Sequence, residues 1–346
     1  MIRVVVAEDS RAQRELLVSI LESDPAIRVV GVASNGAEAV EMAVRLRPDL
    51  VTMDIHMPVL DGYEATREIM RRAPVPIVIV SSSVRRDDIA HSLEAIQAGA
   101  LTAVAKPENP ASPRFEEDRA QLVLMAKAMA DVKVVRRWAS GARPAARPAV
   151  PATPAGEPRT TRLVAVAAST GGPAALQKIL ADLPASFPVP VVVVQHLSRG
   201  FIGVLAEWLR GACKLRVKVA EDAELLAAGT VYLAPDDRHL GVTPDGRVAL
   251  SSGAAVDGFR PSATHLFQSA GAAYGSALLA VILTGMGNDG VRGLREVYAA
   301  GARVLAQDEE SSVIYGMPGE AVRAGVVHQV LPLSAIGPRL VQTVKG

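Results

Sequence analysis

Short apolar runs alternate with stretches of helical spacing along nearly the whole chain, and this alternation limits the fold more than any other feature. In the first half VVVA, IRVVGVA, LVTMD, VPIVIV and LTAVA each border a segment of helical periodicity. In the second half LVAVAA, VPVVVVQ, LLAVILT and ARVLAQ do the same. A continuous apolar run reads as a strand buried on both faces, which requires a parallel sheet covered by helices. The expected fold class is therefore α/β, with doubly wound parallel sheets whose ligands gather at the carboxyl ends of strands. Composition agrees: 49% of the 346 residues are hydrophobic but only 3% are aromatic. Between Gly229 and Ser252, VYLAP and RVALS around the DDRH and TPDG turns predict antiparallel strand pairs appended to the parallel sheet.

The alternation breaks once. ASGARPAARPAVPATPAGEPRT, residues 139–160, contains five prolines and seven alanines and no apolar periodicity. Proline removes amide donors and biases the chain to extended, solvated backbone, reaching at most roughly 70 Å here. The segment is expected to link two domains, residues 1–138 and residues 161–346. A formal net charge of +1 argues against nucleic acid or an anionic membrane as partner. One cysteine, Cys213, excludes an intrachain disulfide. The start, MIRVVVAEDS, has neither the length nor the flanks of a signal peptide, and no apolar run reaches the roughly 18 residues of a membrane span. A soluble, cytoplasmic protein without membrane insertion is expected.

In the first half, acids and other polar residues close successive strands. Glu8 and Asp9 follow the first, Asp54 the third, Ser81 the fourth and Lys106 the fifth. In a five-stranded parallel sheet these ends share one edge. Three carboxylates together call for a cation, and hard oxygen ligands suit Mg²⁺. A lysine and a hydroxyl beside them can hold the oxygens of a phosphoryl group on one carboxylate, for which Asp54 on the central strand is the candidate.

AED, DIHMPVLDG, VSSS and KP together make the first 120 or so residues similar to the receiver domain of bacterial response regulators. The resemblance implies a flavodoxin-like fold and phosphoryl transfer from a histidine kinase to Asp54. It also implies Mg²⁺ held by Glu8, Asp9 and Asp54, with Ser81 and Lys106 on the phosphoryl oxygens. Glu8 stands where such domains often carry Asp, and Ala103 where many have the aromatic that swings on phosphorylation.

The second half opens with LVAVAASTGGPAALQKILAD, residues 163–182. An apolar run stops at Ser169, Thr170, Gly171 and Gly172, and helical spacing starts at Pro173. The turn could cradle phosphate, hold a nucleophile, or be an ordinary strand-to-helix connection. STGGPAAL fits neither the P-loop nor the dinucleotide glycine pattern. A nucleophile needs a base and an orienting acid from elsewhere in the chain. Of six histidines, His196 leads because it ends the run VVVVQ and so belongs at a strand's carboxyl end. In AVILTGMGNDGVRGL a buried strand ends at Thr284 and a glycine-rich turn carries Asp289 into a helix. Its exposed amides suit an oxyanion, although Asn288 or Asp289 could simply cap that helix.

ASTGG, VVQHL and TGMGNDG, with YLAPDDRH, RPSATHLF and YGMPGEA, resemble the catalytic domain of the CheB family of chemotaxis protein-glutamate methylesterases. Ala167 replaces a glycine often seen before the first of these. The resemblance implies a Rossmann-like domain in which Ser169 is the nucleophile, His196 the general base and acid, and Asp289 the acid orienting His196. The amides of Thr170 and Met286 would form the oxyanion hole, and no cofactor would serve this half. It further implies hydrolysis of glutamate γ-methyl esters on chemoreceptors, deamidation of receptor glutamines, and a chemotaxis histidine kinase as phosphodonor. Two rival readings are a phosphorylation-dependent binding module without catalysis and a generic serine esterase. An intact Ser169, His196 and Asp289 set argues against the first, and the attached receiver is unexplained by the second.

Overall fold

The computed structural model describes residues 1–81, 86–107, 110–112, 114–132 and 160–345. The expected linker at 139–160 lies outside them apart from Thr160, as does the end of the first expected domain at 133–138. The chain divides into two compact units, one N-terminal and one C-terminal.

The N-terminal unit alternates strand and helix: β1 (Ile2–Ala7), α1 (Arg11–Glu22), β2 (Ile27–Ala33), α2 (Gly36–Leu46), β3 (Leu50–Met53), α3 (Gly62–Arg72), β4 (Ile77–Ser81), α4 (Arg86–Ala98), β5 (Thr102–Ala105) and α5 (Phe115–Ala130). The five strands form one parallel sheet in the order β2-β1-β3-β4-β5. Side-chain caps set where helices begin. Asn35 accepts from Glu38 N at 2.9 Å while the Glu38 carboxylate accepts from Ser34 N at 2.8 Å, and Asp61 accepts from Glu64 N at 2.8 Å. All four residues of β3 are buried, so the central strand carries its polar successor, Asp54, out of a dry core. The strand order reverses between β1 and β3, which opens a crevice at their carboxyl ends.

The C-terminal unit comprises β6 (Leu163–Ala168), α6 (Gly172–Ala181), β7 (Val191–Gln195), α7 (Phe201–Ala212), β8 (Arg216–Val219), β9 (Thr230–Leu233), β10 (His239–Val242), β11 (Val248–Ser251), α8 (Ala263–Tyr274), β12 (Leu278–Ile282), α9 (Val291–Ala299), β13 (Arg303–Gln307), α10 (Met317–Arg323), β14 (Gln329–Leu331) and α11 (Leu333–Lys345). Seven strands form a sheet in the order β14-β13-β12-β6-β7-β9-β8, parallel throughout.

The antiparallel addition expected between Gly229 and Ser252 is present as a hairpin, but VYLAP is not part of it. VYLAP becomes β9, a parallel strand between β7 and β8, and only β10 and β11 form an antiparallel hairpin. Val231 and Leu233 are fully buried, and a sheet covered on both faces is what such a strand requires. On β6, Leu163, Ala165 and Ala167 pack in one core with Phe267 of α8 and Leu294 and Val297 of α9. The small alanines let those helices lie close to the sheet. Again the order reverses, between β6 and β12, and a second crevice opens at their carboxyl ends. Among the described residues no helix is long and apolar enough to cross a membrane.

Candidate active site

Ser169 and His196 leave adjacent strand ends. β6 and β7 pair with Ala168 opposite Gln195, and His196 N donates to Ala168 O at 3.0 Å. On its other side Ser169 N donates to Thr284 O at 3.0 Å, just beyond the end of β12. The serine therefore sits where three strand ends converge, part-buried between them.

Asp289 arrives on the turn after β12 and is fully buried. Its Oδ2 accepts from His196 Nε2 at 2.9 Å and from Ala263 N at 2.7 Å. Its Oδ1 accepts from Ser262 Oγ at 2.9 Å and Thr264 N at 3.0 Å. A buried carboxylate with four donors, two of them amides at the positive end of α8, is held as an anion. Burial alone would raise its pKa; the His196 hydrogen bond and charge and the two amides outweigh that and lower it from 3.8 to about 2. The alternative that Asp289 caps its own helix is not what the structure contains, because Gly290 is the residue preceding α9.

An ionised Asp289 requires the proton on His196 Nε2, which leaves Nδ1 as an acceptor. That Nδ1 is buried and accepts no hydrogen bond among the described residues. The ring is stacked on Phe259, with centroids 4.4 Å apart and planes 8° from parallel. Carboxylate and stacking partner together define the ring's plane and tautomer.

The turn from Gly285 to Asn288 lies against Ser169. A Cβ at Gly285 would come within 2.7 Å of Ser169 Cβ, so only glycine permits that approach. YGMPGEA and the isoleucine before it support the turn from behind: Met317 N donates to Gly285 O at 2.8 Å, and Gly285 N donates to Ile314 O at 3.1 Å. The amides of Thr170 and Met286 donate to no protein acceptor among the described residues. These are the donors a tetrahedral oxyanion would need.

In the N-terminal unit Glu8, Asp9 and Asp54 each offer an oxygen within 4.8 Å of the others. Lys106 Nζ lies 2.8 Å from Glu8 Oε2 and 2.9 Å from Asp54 Oδ2. Burial raises the pKa of both carboxyls, and the Asp54 charge raises that of Glu8 further, despite Lys106. The same carboxylates outweigh burial at Lys106 and raise its pKa. A set of crowded carboxylates that one lysine does not neutralise, all hard oxygen donors, fits Mg²⁺. Asp54 Oδ1 accepts from Ile55 N at 2.8 Å, which fixes the rotation of the carboxylate. Ser81 is buried at the end of β4 and Lys106 N donates to Ser81 O at 2.8 Å, so these two also meet at the strand ends. Ala103 is buried in β5, with no side chain long enough to swing.

Sequence reasoning gave no role to Ser262, Thr264 or Phe259, although RPSATHLF carries the first two. Its signal was a serine before a helical pattern, which predicts a cap; here Ser262 caps α8 and also donates to a carboxylate 27 residues away. Phe259 carried no signal, since one part-buried aromatic in a loop matches no pattern.

Comparison with known proteins places both halves of the chain in known families. Residues 164–340 match the family model described as CheB methylesterase, and residues 4–112 match the response regulator receiver domain. The chain is 56% identical over 345 residues to a Myxococcus xanthus protein-glutamate methylesterase/protein-glutamine glutaminase, covering 100% of this chain and 98% of that one. It is 52% identical to an Anaeromyxobacter dehalogenans protein of the same description, covering 98% of each. The crystal structure of the Thermotoga maritima CheB methylesterase catalytic domain is 40% identical with a TM-score of 0.51, covering 53% of this chain and 98% of that one.

Proposed function

The chain belongs to the CheB methylesterase family, and we propose that it hydrolyses glutamate γ-methyl esters on chemoreceptors and deamidates receptor glutamines, under control of phosphorylation at Asp54. We read residues 1–138 as the receiver, 139–160 as a linker and 161–346 as the esterase. The observation that carries the catalytic reading is the hydrogen bond of His196 to the buried Asp289, with His196 Nδ1 accepting no hydrogen bond among the described residues, on a strand end paired with the one that leads into Ser169.

In this mechanism His196 Nδ1 takes the Ser169 hydroxyl proton as Oγ attacks the ester carbonyl. The negative charge on the carbonyl oxygen is met by the amides of Thr170 and Met286, already oriented and undelivered elsewhere. His196 returns the proton to the ester oxygen, or to the amide nitrogen of a glutamine, so that methanol or ammonia leaves as the C–O or C–N bond breaks. Water then attacks the acyl-enzyme with His196 taking its proton, His196 passes that proton to Ser169 Oγ as the acyl C–O bond breaks, and free glutamate leaves. Asp289 stays ionised throughout and stabilises the imidazolium.

In the receiver, an Asp54 carboxylate oxygen would accept the phosphoryl group of a chemotaxis histidine kinase, and Ser81 and Lys106 would contact its oxygens. Glu8, Asp9 and Asp54 would hold Mg²⁺, which when bound offsets charge on those oxygens. Such a pathway places the protein in the cytoplasm. Methanol release from methylated receptor membranes tests the reading: turnover is expected, and activity on a generic ester with none on receptors overturns it.

A further inference from the structure

Gln195 ends β7 immediately before His196, is 2% exposed, and takes part in no step above. Its Nε2 donates to Ser169 O and to His196 O, at 2.8 Å each. One primary amide thus ties the main chain of the nucleophile's residue to that of the base's residue. Ser169 O also accepts from Gly172 N at 2.8 Å, so both of its lone pairs are occupied. Gln195 Oε1, in contrast, is buried and accepts no hydrogen bond among the described residues. It lies where a Cβ on Gly172 would overlap it. Burying an amide oxygen without a donor is destabilising, and departures of this kind concentrate at functional sites. An apolar side chain of the same length would fill the space without that penalty.

We propose that Gln195 is a positioning residue for hydrolysis. Its amide fixes the spacing and relative rotation of the Ser169 and His196 strand ends, and Gly172 is the steric complement that admits it. The inference rests on Ser169 and His196 acting as nucleophile and base. Proton transfer between them needs a separation of roughly 2.6–3.2 Å, and a misplacement of about 1 Å costs on the order of a hundredfold in rate. The amide touches neither substrate nor reacting atoms, so its loss should act on kcat and leave KM.

The test uses the full-length protein and two readouts, methanol release from methylated receptors and the rate of covalent labelling by a fluorophosphonate. Gln195→Met is expected to stay folded, lose about 30–100-fold in kcat, hold KM within about twofold, and label correspondingly slowly. Gln195→Glu keeps the shape but donates once when protonated and not at all when ionised. Its kcat relative to wild type should therefore rise as pH falls, and this variant carries the test if Gln195→Met does not fold. Gly172→Ala should slow turnover in the same way, and adding Gln195→Ala to it should bring little further loss, because both changes remove one contact. Wild-type kcat and labelling in Gln195→Met, beside an inert Ser169→Ala, overturn this inference alone. Losses that multiply in the double variant also overturn it. Turnover and labelling that persist in Ser169→Ala overturn the nucleophile assignment and the inference with it.

Discussion

In the proposed mechanism Asp289 is the residue on which most of the site's geometry turns. Its pKa falls from 3.8 to about 2 on folding, so its carboxylate stabilises the fold at any pH above the unfolded value. That stabilisation is lost as pH drops from about 4 toward 2, and the shift corresponds to about 2 kcal/mol. Asp289→Asn should therefore be less stable than wild type at pH 7 and approach it near pH 2, in chemical denaturation followed across that range. An unchanged stability gap at low pH would show that the amides, not the charge, are what the residue contributes. Ser169→Ala and His196→Ala should each lose a factor of ~10⁴–10⁶ in turnover, the first with Tm little changed and the second with a lower Tm because buried Asp289 loses a partner, and Asp289→Asn somewhat less in turnover, because the three act as a unit. A tenth of wild-type turnover in either of the first two removes that residue from the mechanism. For the receiver, Asp54→Asn should take up no acid-stable, base-labile label from the phosphorylated kinase. A label mapped to another residue would move the site.

At the scale of elements, the proposed site depends on where helices begin. α8 starts at Ser262, whose hydroxyl donates to Asp289 while also accepting from His265 N at 3.4 Å. Ser262→Ala removes the cap and one of four donors to a buried anion. It should lower stability by about 1–2 kcal/mol and lower kcat at unchanged KM, as read by Tm and methanol release. Full activity would mean that the amides of Ala263 and Thr264 suffice. Strand ends were legible in the sequence because an apolar run with a polar successor has few other meanings; LVTM before Asp54 and VVVVQ before His196 both read this way. VYLAP did not, since four residues between turn signals carry no trace of the distant neighbour they pair with, and β9 is made parallel by β7 and β8. The same limit hid the Asp289 cradle. Its donors lie on a helix start that only the packing of α8 beside α9 brings to the turn after β12.

For the molecule as a whole, a tether of the length expected at 139–160 holds receiver and esterase at an effective concentration on the order of millimolar. Even a weak inhibitory interaction would then be well populated, and a tenfold change in rate needs only ~1.4 kcal/mol of differential interaction. The Thr161–Gly346 fragment retains its own core and sheet. It should release methanol faster than resting full-length protein and ignore a phosphodonor. A folded fragment no faster than the resting protein would overturn restraint and leave a receiver that acts only by activation.

The seven-stranded sheet also bears on how the esterase is made. β6 is central, yet it is the first strand of its unit to be synthesised, and β12, which covers one of its sides, follows more than a hundred residues later. At roughly 5–20 residues per second, that flank of β6 stays unpaired for about 5–20 s on the ribosome. It is an apolar edge able to recruit strands from other chains. The strand order that brings Ser169 beside the turn carrying Asp289 therefore delays the assembly of that site until β12 and the turn after it have left the ribosome.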